Sequence, residues 1–149
     1  MPQFQGSREE VCALGAYVKL LRAAESVSAR VHQRMTDADL TSSQFGVLEA
    51  LWHLGPLCQR DIGKKLLKSG GNITMVIDNL EKRHLVERKR DASDRRYITV
   101  CLTEAGQQLI AELFPRHVTA VVAELSVLSV AEQEELGRLC RKLGKHELS

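Results

Sequence analysis

Two short helical patterns and two strand-like runs follow one another between positions 58 and 103, and their order limits what this chain can fold into. The first pattern, 59–67, places Ile62 and Leu66 four apart on one face. Ser69-Gly70-Gly71 then reads as a break, because two glycines permit backbone angles that a helix interior refuses. In the second pattern Ile73, Val76, Ile77 and Leu80 recur at i, i+3, i+4 and i+7, an apolar stripe that must lie on a core. The opposite face carries Asn72, Thr74, Asp78, Asn79 and Lys82, with Met75 also turned outward. Two helices joined by a tight Gly-bearing turn, the second polar on its outer side, are the parts of a helix-turn-helix.

Positions 85–90 and 97–102 read as strands, and the polar Asp91-Ala92-Ser93-Asp94-Arg95-Arg96 between them makes a β-hairpin with a charged tip. Helix, helix, hairpin is a winged helix-turn-helix. Such a module can also pack only against another protein, but the charge weighs against that alternative. From 53 to 100 there are eleven Lys/Arg against six Asp/Glu, whereas the rest of the chain holds ten against thirteen. A basic centre between acidic flanks suits phosphate binding by one part of the molecule.

The stretch LEKRHLVERKRDASDRRYITVCLTEAG resembles the wing region of the MarR family of bacterial transcription regulators. Asp91, Asp94, Arg95 and Arg96 occupy that family's D-x-x-D-R-R wing, and Leu102-Thr103-Glu104-Ala105-Gly106 its L-T-E-x-G continuation. The flanking segments fit in length and order, so the resemblance covers nearly the whole chain. It implies a mainly α fold, winged helix-turn-helix in the order α-α-α-α-β-β-α-α, whose N- and C-terminal helices intertwine with those of a second copy. The expected layout is a single unit over 1–149, with dimerisation helices at 7–36 and 104–146 around a DNA-binding domain at 41–103.

Local signals outside the wing agree with that layout. Ser7 with Glu10, Thr41 with Gln44 and Ser129 with Glu132 are capping boxes that open helices. The first helix carries Val11, Leu14, Val18, Leu21, Ala24, Ser28, Val31 and Met35 as a stripe longer than one small subunit usually buries, which predicts a dimer surface. Phe45, Leu48, Leu51 and Trp52 belong to the second helix, which Gly55-Pro56 stops. Thr103 caps a helix to about Glu124, with a kink expected at Pro115 because proline cannot donate to Ala111. The last helix carries Leu136, Leu139, Cys140 and Leu143 and ends near Gly144.

The other features narrow the class. No run approaches the about 20 apolar residues of a membrane span, and the polar start MPQFQGSREEV has no apolar signal region, so a cytoplasmic location is expected. Cys12, Cys58, Cys101 and Cys140 form no C-x-x-C pair, which argues against structural zinc or a disulfide framework. No Gly-rich phosphate loop, paired-carboxylate site or cysteine–histidine grouping marks an enzyme, and no metal or cofactor is expected.

For DNA, the second helix of the motif would enter the major groove, where each base pair shows a distinct donor and acceptor pattern. Asn72 can bond an adenine edge, although it can equally serve as a cap. Thr74 or Met75 can touch a thymine methyl, and Asn79 lies toward the far end. Ser69 fits a cap or phosphate ligand. By resemblance, Arg95 reaches the minor groove from the wing. Arg96 and Asp94 can pair instead and hold the hairpin's shape. Lys64, Lys65, Lys68, Arg88 and Lys89 are phosphate candidates that matter as a cluster. A homodimer would read a palindromic, double-stranded operator and repress by covering a promoter.

The resemblance also implies control by a small phenolic or aromatic effector lodged between the dimer helices and the winged domain, or by cysteine oxidation. Tyr17, His32, Phe45, Trp52, Phe114 and His117 are the candidate lining, each with an ordinary packing role as the alternative. Cys12 lies near the start of the first helix, as the sensing cysteine of the peroxide-responsive branch does, though not at quite the same place. Cys58 stands at a helix start beside unpaired N–H groups, with Asp61 acting against it. Cys101 and Cys140 read as small buried hydrophobes.

Overall fold

A computed structural model describes residues 4–35, 38–66 and 70–146. The elements run α1 (Arg8–Gln33), α2 (Ser42–Leu54), β1 (Leu57–Cys58), α3 (Gln59–Leu66), α4 (Gly70–Lys82), β2 (Val86–Arg90), β3 (Ile98–Leu102), α5 (Glu104–Leu125) and α6 (Val130–Lys145). They form two compact units, 35–118 and 1–34 with 119–149. The first therefore takes in most of α5, beyond the expected boundary at 103.

The unit 35–118 holds the core. Val47, Leu48, Ile62, Ile73, Ile77, Leu80, Val100 and Ile110 are sealed from solvent, contributed by α2, α3, α4, β3 and α5. Truncating one of the leucines or isoleucines to alanine costs roughly 2–5 kcal/mol, from lost transfer energy and the cavity left behind. The stripe read in α4 is this core's contribution.

Local chemistry sets the boundaries. Thr41 and Gln44 cap α2 reciprocally, at 3.1 and 2.9 Å, and Gly55 ends it at φ 80°. At the end of α4 the N–H of Leu85 bonds to the carbonyl of Leu80 and that of His84 to Glu81, both at 3.0 Å, with His84 left-handed at φ 59°. This is a Schellman stop, and Leu80 and Leu85 bury its apolar contact. Thr103 opens α5, its hydroxyl accepting from the N–H of Gly106 at 3.0 Å and donating to the carbonyl of His84 at 2.6 Å.

Two features differ from the sequence reading. Gly70 and Gly71 lie inside the first turn of α4 and not before it, where N–H groups have no intrahelical partners and glycine is tolerated. The hairpin also gains a third strand: the sheet order is β1-β3-β2, antiparallel, with Leu57 opposite Val100 and Cys58 opposite Thr99. A two-residue strand carries no periodicity to read.

In the other unit, the expected capping boxes open α1 and α6. Glu124 of α5 joins the last turn of α1 and the residue that caps its end, accepting from Arg30 Nε at 2.6 Å and Arg34 Nε at 2.9 Å. Those bonds hold its carboxyl below the usual carboxylate range. Neither α1 nor α6 contains a buried residue. Val11, Leu14, Tyr17, Leu21, Leu136, Leu139 and Leu143 are exposed apolar side chains. α5 continues through Pro115 to Leu125. No single helix among the described residues is long and apolar enough to cross a membrane.

Candidate nucleic-acid interface

Burying Ile73, Ile77 and Leu80, with Val76 packed against the same core, forces the opposite face of α4 outward. Asn72, Thr74, Met75 and Asn79 are exposed, Met75 at 64% despite its apolar side chain. Gln59, the first residue of α3, donates from Nε2 to Thr74 Oγ1 at 2.5 Å and so ties the start of one helix to the outer face of the next. Lys64 and Lys65 stand exposed in the last turn of α3, with no ion pair among the described residues. Ser69 and Lys68 lie outside the described residues.

The wing is built by two successive turns closed by aspartate side chains. Asp91 Oδ1 accepts the N–H of Ser93 at 2.9 Å and its hydroxyl at 2.8 Å. Asp94 Oδ1 accepts the N–H of Arg96 at 3.0 Å. Backbone bonds from Asp91 N to Tyr97 O (2.9 Å) and Tyr97 N to Asp94 O (3.0 Å) complete the tip. Aspartate favours such turns because its short side chain reaches its own backbone two residues on. These bonds stabilise the ionised form and lower both carboxyls from their ordinary values: the Ser93 backbone and hydroxyl act on Asp91, and the Arg96 side chain, then its backbone, on Asp94.

The wing's cations divide by their partners. Arg96 lies in a fork with Asp94, Nη2 to Oδ2 at 2.9 Å. Lys89 pairs with Glu87 at 3.2 Å, and Arg90 Nη1 donates to the carbonyl of Arg95 at 3.1 Å. Arg88 is mostly covered, its guanidinium between Asp78 at 2.7 Å and Glu81 at 3.0 Å, which leaves little of its charge for a phosphate. Among the described wing residues, Arg95 is the arginine whose guanidinium has no hydrogen-bond or ion-pair partner, and it is exposed at the tip. Sequence reasoning missed Gln59 and Arg90, whose partners lie in other elements or across a turn.

Four of the six candidate effector residues come together in the unit 35–118. Phe45 and His117 have ring centroids 4.7 Å apart, Trp52 and Phe114 5.1 Å, and Phe114 and His117 6.0 Å. His53, not singled out from the sequence, joins them edge-on to Phe114 at 4.8 Å. Nδ1 of His117 is buried without a hydrogen-bond partner. Tyr17 and His32 belong to α1, in the other unit. Cys12 is an exposed free thiol, Cys58 is half-buried in β1, Cys101 is half-buried, and Cys140 is exposed rather than buried as expected, because α6 has no covered face. No group of three or more metal-binding side chains occurs among the described residues.

Comparison with known proteins agrees with this geometry. The MarR family profile matches residues 40–98, from the start of α2 into β3. The chain is 33% identical over 132 residues to the HTH-type transcriptional regulator MhqR of Bacillus subtilis, covering 89% of this chain and 91% of that protein. It is similar to BpsR of Bordetella bronchiseptica, solved in work on regulation of its DNA binding by 6-hydroxynicotinic acid (30% identity, TM-score 0.80, 87% of this chain and 98% of that one). It also resembles MepR of S. aureus in its DNA complex (26% identity, TM-score 0.77, 88% and 98%). The chain belongs to the MarR family and is a DNA-binding transcriptional regulator of the winged helix-turn-helix type.

Proposed function

We propose that the protein is a homodimeric repressor that reads an inverted-repeat operator and leaves it when a small aromatic or phenolic molecule binds. The observation that carries the reading is the division of the wing's cations: four are engaged within the protein, while Arg95 projects from a tip braced on both sides. A cation held outward beside an exposed polar helix face suits a duplex, with α4 in the major groove and Arg95 in the minor groove. Asn72, Met75, Asn79 and the methyl of Thr74 are the base-edge candidates, and Lys64 and Lys65 the phosphate candidates. Two copies would set their α4 helices roughly 34 Å apart, one turn of DNA. The uncovered apolar faces of α1 and α6 support a second copy as the partner.

The ring group of Phe45, Trp52, Phe114 and His117 supports an aromatic effector, and the unpartnered Nδ1 of His117 supports one that carries a hydroxyl or carboxylate. BpsR responds to a hydroxylated aromatic acid. The second trigger, oxidation or an electrophile, would fall on Cys12, which is exposed.

The test is fluorescence anisotropy of the purified protein on its own upstream intergenic DNA, across a salt series, with sedimentation for oligomeric state. Dimers that bind tightly with a log–log slope of about 0.9 per neutralised phosphate, and that phenolic acids release, support the proposal. Release by peroxide in place of the acids would move the trigger to the thiols. Salt-insensitive failure to bind any duplex would leave a protein-interaction module.

A further inference from the structure

Arg88 is heavily engaged within the winged unit. Its Nη2 lies 2.7 Å from Asp78 Oδ1 and its Nη1 3.0 Å from Glu81 Oε1. The second oxygen of Glu81 accepts the backbone N–H of Arg88 at 3.0 Å. Nη2 also approaches Gln59 Oε1, at 3.5 Å, and Gln59 holds Thr74 through its other amide atom. One side chain on β2 thus reaches the outer edge of α4 at two successive turns and, through Gln59, the start of α3.

We infer that Arg88 is a positioning residue for sequence readout: it sets α4 against the wing, so that the base-reading face and Arg95 meet two grooves at once, and it does not itself hold DNA. This rests on the reading of α4 and the wing as the DNA surface. Three features favour positioning over phosphate binding. The guanidinium is four-fifths covered, its charge is opposed by two carboxylates, and Arg88 stands opposite Val100, in the middle of β2 rather than at the tip. The planar guanidinium spreads five donors over a rigid fork that spans two carboxylates and an amide oxygen, whereas a lysine ammonium gathers its donors on one atom, so lysine is not equivalent.

The test uses a fluorescein-labelled duplex that the wild-type protein enriches from a randomised pool, beside a random duplex of equal length. Arg88→Gln and Asp78→Asn are compared in full-length protein whose thermal unfolding is checked. Asp78 is half-exposed, so its variant should fold even if Arg88→Gln does not. Positioning predicts that both weaken binding to the selected duplex about tenfold. Affinity for the random duplex and the salt slope should barely change. Asp78→Asn is decisive because electrostatics alone predicts the opposite sign: removing a negative charge beside DNA should tighten both duplexes. That result, or a slope reduced by about 0.9 in Arg88→Gln, the mark of a lost phosphate contact, overturns the inference while the function stands. If the wild type enriches nothing, the DNA-reading assignment fails first.

Discussion

Asp94 takes three hydrogen bonds from Arg96, from the backbone N–H at 3.0 Å, Nε at 3.1 Å and Nη2 at 2.9 Å, while Arg95 between them is held through its carbonyl alone. Two neighbouring arginines therefore have different work, one shaping the wing and the other projecting from it. Arg95→Ala should cost roughly 1–3 kcal/mol of operator affinity. Its NMR amide resonances over 91–97 should stay in place. Arg96→Ala should shift those resonances. Equal spectra for the two variants would count against the division.

The same turns make the wing acid-sensitive. Asp91 and Asp94 titrate lower in the folded wing than in an unfolded chain, so their contribution is fully present above the unfolded carboxyl value of about 3.9. It is lost as pH falls through the depressed folded values. Carboxyl NMR titration should place both midpoints below the ordinary value, and Asp91→Asn should abolish one of them while keeping its turn. A midpoint at or above the ordinary value would contradict these bonds.

His84 occupies a left-handed position that favours glycine, and its side chain is exposed. His84→Gly should therefore stabilise the protein by about 1 kcal/mol, since an L side chain pays a steric cost there. Urea unfolding at fixed protein concentration measures it. A loss of stability would mean that the imidazole itself holds the turn.

Gly106 is the reverse case. A β-carbon there would overlap the carbonyl oxygen of Leu85, which accepts the N–H of Thr103 at 3.1 Å. Backbone cannot yield as a flexible side chain can. Gly106→Ala should destabilise by roughly 1–3 kcal/mol, with α5 shifted from β2. Unchanged urea midpoints would show that the start of α5 moves freely.

What could be read along the chain was whatever depends on near neighbours. Ser7, Thr41 and Ser129 each bond a backbone N–H three residues on, so the starts of α1, α2 and α6 were legible to the residue. The α4 stripe was legible because 3.6 residues per turn put Ile73, Ile77 and Leu80 on one side. Asp94 with Arg96 was legible as a pair because the two are adjacent within a turn.

Tertiary structure decided what depends on separation in sequence. β1 exists because Leu57 and Cys58 meet Val100 and Thr99, a pairing that no two-residue run announces. Arg88 had the look of a phosphate ligand; only the packing of α4 beside β2 brings Asp78 and Glu81 to it. The grouping of Phe45 with His117 and Trp52 with Phe114 likewise follows from α2 packing against α5. The physical reason is one of range. Caps, turns and helical faces are set by bonds spanning a few residues, whereas the partner of a long charged or aromatic side chain is chosen by which distant element the core holds against it.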